Sequence, residues 1–129
     1  MADTAKKRVL VVDDANLVRL YYRDALERAG FEVIEAFNGL EALETLLDGP
    51  VDLLIVDVNM PQMDGLTFLT TLRSRDEAIA AIPALITTTE AGPQDEAAAR
   101  TAGANFYLTK PVSQDALAEY ALLMAGGAA

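Results

Sequence analysis

Five short runs rich in apolar residues punctuate the chain: Val9–Val12, Glu32–Ala36, Leu53–Val56, Ala84–Thr88 and Phe106–Thr109. Three are nearly continuous in apolar residues, the pattern of strands covered on both faces of a parallel sheet. The run at Glu32 is more polar and is expected at an edge. The segments between have helical spacing. Val18, Tyr22, Ala25 and Ala29 form a stripe that stops at Gly30. Leu40, Leu43 and Leu47 recur at i, i+3 and i+7 behind Asn38, a residue suited to capping. Pro93 can open a fourth helix and Gly103 can close it. Ser113 can cap a fifth, which carries Leu117, Ala121 and Met124. Five alternating strand–helix units predict an α/β fold, a doubly wound parallel sheet with helices on both faces. At 129 residues the chain is read as one domain over 1–129, with its core at about 8–125.

Composition narrows the chemistry. Histidine and cysteine are both absent. That excludes a disulfide, a zinc–cysteine site, a thiolate nucleophile, a Ser-His-Asp triad and a phosphohistidine carried by this chain. Any metal must be a hard cation held by oxygen. Twenty acids against ten bases give a net charge of −10. This argues against nucleic acid as a partner and against polybasic attachment to a membrane. No run approaches the roughly 20 apolar residues that span a bilayer. Lys6, Lys7 and Arg8 precede an apolar run too short for a signal peptide, so a cytoplasmic location is expected.

Four of the five runs end in reactive polar groups: Asp13 and Asp14, then Asp57, then Thr87, Thr88 and Thr89, then Thr109 and Lys110. Ligands of open α/β sheets bind outside the carboxyl ends of the strands. Three carboxylates, a hydroxyl and an ammonium should therefore meet in one crevice. Two carboxylates about 5 Å apart repel by roughly 3 kcal/mol at an effective dielectric constant near 20. Three such groups either raise one another's pKa or hold a cation, and Mg²⁺ suits a few carboxylates with water and a phosphate oxygen. Asp57 is then a candidate nucleophile whose acyl phosphate is neutralised by Mg²⁺ and Lys110, with Thr88 able to hydrogen-bond a phosphoryl oxygen. No GxxxxGK[ST] loop is present, and no GxGxxG follows the first strand.

V-V-D-D at 11–14, D-V-N-M-P at 57–61, D-G at 64–65, T-T-E-A at 88–91 and L-T-K-P at 108–111 together make the chain similar to the receiver domain of two-component response regulators. The resemblance covers nearly the whole length. It implies a flavodoxin-like five-stranded sheet of order 2-1-3-4-5 with five helices. It implies that Asp57 accepts a phosphoryl group from a histidine of a partner kinase or histidine phosphotransfer protein. Asp13, Asp14, Asp57 and the backbone carbonyl of Asn59 would hold Mg²⁺, and Lys110 would contact the phosphoryl group. Thr88 would be the switch hydroxyl and Tyr107 the aromatic that moves with it. The Lys110–Pro111 bond would be cis. Asn59, Thr89 and Glu90 occupy positions that tune phosphate lifetime. Thr89 departs from the family, which usually has a small residue there.

The domain would be a phosphoacceptor in signalling rather than an enzyme in the ordinary sense. It looks most like the stand-alone chemotaxis regulators, and its output face would be the fourth helix, fifth strand and fifth helix. A target such as the flagellar motor switch fits that likeness. The alternative is a phosphorelay intermediate or phosphate sink. Leu17 and Leu20, outside the inner stripe of the first helix, are the expected kinase-docking residues. The fourth helix carries Ala97, Ala98, Ala99 and Ala102 but no large apolar side chain, so it should be weakly held. A haloacid-dehalogenase-type phosphohydrolase also uses an aspartyl nucleophile and Mg²⁺. It needs an acid two residues later, where this chain has Asn59. A degenerate receiver that only binds partners is disfavoured by the intact acids, Thr88 and Lys110.

Overall fold

The computed structural model describes residues 6–60, 63–75, 77–90 and 92–125. Pro61 and Ala91, the last residues of two of the motifs, lie outside that set. The strands are β1 (Arg8–Val12), β2 (Glu32–Ala36), β3 (Leu53–Asp57), β4 (Ala84–Thr88) and β5 (Phe106–Thr109). All pair in parallel, in the order β2-β1-β3-β4-β5. Glu32–Ala36 is an edge strand, as its polarity predicts. The helices are α1 (Asn16–Arg28), α2 (Gly39–Leu47), α3 (Gly65–Arg73), α4 (Pro93–Ala102) and α5 (Gln114–Met124). A single extra helical turn, Glu77–Ala80, precedes β4 and was not expected.

Alternate strand residues feed two cores. Val9, Val11, Leu53, Ile55 and Leu85 face α1 and α5, where Tyr22, Leu26, Phe31 and Leu117 close the layer. Leu10, Val12, Leu54, Val56 and Ile86 face α2, α3 and α4 with Phe68, Leu69 and Leu72. The strict alternation follows from the period of two along a strand. It sends neighbouring residues at the strand ends to opposite sides of the sheet.

The helix ends follow the sequence closely. Asn38 accepts a hydrogen bond from the Glu41 amide at 2.8 Å, and Ser113 accepts one from Ala116 at 3.1 Å. Gly30 and Gly103 sit at φ 102° and 112°, left-handed conformations that suit glycine at a helix end. The Lys110–Pro111 bond is cis.

Two features differ from expectation. In α2 the buried residues are Gly39, Ala42 and Leu46, whereas Leu40 and Leu47 are 47% and 72% exposed. The cause is a close approach: a Cβ on Gly39 would lie 2.8 Å from Met63 Cγ. That contact fixes the rotation of α2 and turns Leu40 and Leu47 outward. In α4 only Ala99 and Ala102 are buried, as the alanine pattern predicts, but its C-terminal end is tethered. The Arg73 guanidinium donates to Gly103 O through Nε and Nη2, at 3.1 and 2.7 Å, and to Ala80 O and Ile82 O at 2.7 and 2.6 Å. Alanine contacts therefore do not hold α4 alone.

Candidate functional site

The crevice forms where β1, β3 and β5 end. β1 delivers Asp13, which is 1% exposed; its Oδ1 accepts from the Ala15 amide at 2.9 Å. Asp14 follows in an exposed position. β3 delivers Asp57, 6% exposed. Its backbone is crowded by Gly65, where a Cβ would come within 2.3 Å of Asp57 O. This is the physical content of the D-G pair: only glycine lets α3 start against the acceptor strand. Past the end of β5, Lys110 Nζ reaches Asp13 Oδ2 at 3.0 Å and Asp57 Oδ1 at 3.1 Å. Carboxylate oxygens of Asp13, Asp14 and Asp57 all lie within 4.8 Å of one another.

Burial, then the negative charge of Asp13, push the Asp57 carboxyl up to about 6, with Lys110 opposing. Burial disfavours the charged Lys110 ammonium, but Asp13 and then Asp57 outweigh it and hold its pKa above the ordinary lysine value. An all-oxygen donor set crowded enough to resist full ionisation fits a hard divalent cation. Asn59 is exposed two residues past Asp57, on the connection to α3.

Thr88 lies on the other side of the crevice mouth. It is buried, and its Oγ1 accepts from the Glu90 amide at 3.1 Å. Tyr107 is half-buried and donates its hydroxyl hydrogen bond to Glu90 O. A cavity of about 40 Å³ lies between them, lined also by Val58, Leu66 and Ala98. Thr89 is exposed and lines a larger groove of about 310 Å³ with Val18, Tyr22, Lys110 and Pro111. Leu17 and Leu20 are 78% and 58% exposed on the outer face of α1.

One side chain at this site is assigned elsewhere by the sequence. Tyr22, assigned to the inner stripe of α1, brings its hydroxyl beside Thr87 and within electrostatic reach of Lys110, Asp13 and Asp57. The available signal was a polar tip in an otherwise apolar stripe.

Comparison with known proteins agrees with this geometry. Residues 9–122 match the response regulator receiver domain. The chain is 40% identical over 114 residues to chemotaxis protein CheY1 of Helicobacter pylori, covering 87% of this chain and 91% of that protein. It is 32% identical over 112 residues to the CAI-1 autoinducer sensor kinase/phosphatase CqsS of Vibrio cholerae; that match covers 87% of this chain and 16% of CqsS. The solved structure of Vibrio cholerae chemotaxis protein CheY4 superposes with a TM-score of 0.87 at 33% identity, covering 93% of this chain and 99% of that one. Among the described residues no helix is long and apolar enough to cross a membrane. With its sheet order, its acid crevice and the match over residues 9–122, the chain belongs to the response regulator receiver domain family.

Proposed function

We propose that this receiver takes a phosphoryl group on Asp57 from a phosphohistidine of a kinase or histidine phosphotransfer protein and changes its partner binding in response. The observation that carries this reading is the convergence of three carboxylates and Lys110 at the ends of three strands. An Asp57 carboxylate oxygen attacks phosphorus; the new O–P bond forms as the N–P bond to the donor imidazole breaks. The imidazole nitrogen keeps the bonding pair and takes a proton from water. Asp13, Asp14, Asp57 and the Asn59 carbonyl would hold Mg²⁺, which supplies positive charge against the phosphoryl oxygens. Lys110 shifts from the carboxylates to a phosphoryl oxygen. The domain assists its own phosphorylation and dephosphorylation, with Asn59, Thr89 and Glu90 setting the rates. It performs no turnover on a separate substrate.

On the output side, the Thr88 hydroxyl leaves the Glu90 amide for the phosphoryl group, and Tyr107 moves into the space beside it. The 40 Å³ cavity and the Tyr107–Glu90 hydrogen bond support this two-position switch. α4, β5 and α5 then present a changed surface to a downstream protein. The chemotaxis relatives support chemotaxis-type signalling over a relay or sink, and the downstream protein we infer is a flagellar motor switch. Leu17 and Leu20 dock the kinase, since both are exposed on the helix that starts at the acid cluster. Phosphate uptake from a purified kinase tests both parts. Uptake by Asp57→Asn would overturn the acceptor, and undiminished uptake by Leu17→Asp and Leu20→Asp would move the docking face.

A further inference from the structure

The α1 side of the crevice holds a buried tyrosine and a buried threonine that the phosphoacceptor reading leaves without a task. Tyr22 is 3% exposed, and its ring lines the same groove as Lys110 and Pro111. Thr87 is 0% exposed and pairs in register with Asp57 on the neighbouring strand. Its Oγ1 is, among the described residues, the single fully buried side-chain polar atom with no hydrogen bond. Such an orphan is rare in native proteins and needs an explanation. The Tyr22 hydroxyl sits next to it, outside the geometry of a formed hydrogen bond.

An ammonium has three N–H donors. Asp13 takes one from Lys110, and Asp57 forms an ion pair with it at 3.1 Å, which leaves at least one donor for another partner. Burial raises the Tyr22 pKa, so its hydroxyl stays neutral and can both accept and donate. A short chain would account for every group: Lys110 N–H donating to Tyr22 Oη, and Tyr22 O–H donating to Thr87 Oγ1. Phenylalanine or leucine would fill the same place in the core without any polar atom to satisfy.

We propose that Tyr22 is a positioning residue for Lys110, its ring packed in the Lys110 groove and its hydroxyl, backed by Thr87, holding the ammonium at the acceptor carboxylate. The role rests on Asp57 being the phosphoacceptor, but the contact itself does not.

Two measurements on the full chain test it. The side-chain ¹⁵N signal of the Lys110 ammonium, read by NMR without any phosphodonor, should shift in Tyr22→Phe and likewise in Thr87→Val. Phosphorylation by acetyl phosphate at saturating Mg²⁺ should slow about threefold to tenfold in either variant, the size expected for one lost hydrogen bond. The Mg²⁺ affinity should stay unchanged, the double variant should be no slower than either single one, and Tyr22→Phe should add nothing in a Lys110→Ala background. An unmoved Lys110 signal, or the same slowing with and without Lys110, would overturn the proposal and leave Tyr22 as core packing. Phosphate uptake by Asp57→Asn would instead overturn the acceptor, and the Lys110 signal would still decide whether Tyr22 touches it.

Discussion

Thr87 and Thr88 are neighbours on β4 that face opposite sides of the sheet, and each meets a tyrosine. On the α1 side Tyr22 is sealed among Leu26, Phe31 and Leu117. On the α4 side Tyr107 is half-buried, and its hydroxyl goes to a backbone carbonyl at the crevice mouth. The α1 flank is filled by large side chains. The α4 helix buries only Ala99 and Ala102 and is pinned at its far end by Arg73. Alanine contributes little buried area, so α4 is held by less apolar contact than α1. On the proposed reading, the same pair of residue types is a fixed support on one side and a movable reporter on the other. Packing around the pair sets its mobility; the chemistry of the pair does not.

The comparison breaks altogether if the trigger shared by both flanks is not Asp57. Asp57→Asn keeps the shape of the side chain and loses the nucleophilic oxygen anion. Intact-mass measurement after acetyl phosphate and Mg²⁺ should show complete loss of the phosphorylated species, with the circular dichroism unchanged.

The next largest effect sharpens the difference in packing. Leu26→Ala removes a fully buried side chain from the α1 flank and should cost about 3 kcal/mol. Ala99→Gly, at the equally buried contact of α4, should cost about 1 kcal/mol, mostly backbone entropy. Urea unfolding gives both values, and equal costs would mean that the two flanks are equally well packed.

A third test concerns the charge that lies between the flanks. In metal-free protein the Asp57 carboxyl is pushed up to about 6, from 3.8 for an ordinary aspartate, by burial and then by Asp13. Between these values the folded protein keeps a proton that the unfolded chain releases. The resulting stability is fully present below about pH 4 and is lost as pH rises through 6. The change is at most about 3 kcal/mol, because each pH interval of one between those values is worth about 1.4 kcal/mol. In EDTA, Asp57→Asn should be more stable than wild type at pH 7.5, and the gap should close by pH 4. A gap that does not change with pH would show that Asp57 is not strained by its neighbours.

The smallest effect is the most specific. Hydrogen exchange over Pro93–Ala102 should change when a phosphoryl mimic is added, while exchange over Asn16–Arg28 stays as it was. Equal changes in both helices would erase the distinction between support and reporter.

Much of this protein is written locally. Apolar runs of strand length, four of the five ending in Asp, Thr or Lys, place the carboxylates, the hydroxyl and the lysine together, because a parallel sheet brings all its strand ends to one edge. The caps at Asn38 and Ser113 and the stops at Gly30 and Gly103 are equally local, since each depends on backbone groups within a few residues. The resemblance to the family is carried by the motifs at 11–14, 57–61, 64–65, 88–91 and 108–111 taken together.

Three features needed the assembled fold. Helical periodicity says that α2 has an apolar side, but the Gly39–Met63 contact decides which residues it hides, and it leaves Leu40 and Leu47 in solvent. Arg73 lies 30 residues before the Gly103 carbonyl it holds, and no pattern of spacing connects them. Tyr22 reads as core from the stripe it belongs to; that it lines the Lys110 groove with its hydroxyl near Thr87 depends on how α1 lies against β4 and β5. The sequence determined the strands, the caps and the reactive residues because each is set by chain neighbours or by the edge where all strands end. The rotation and contacts of the helices were left to tertiary structure, because side chains far apart in the chain compete for the same space.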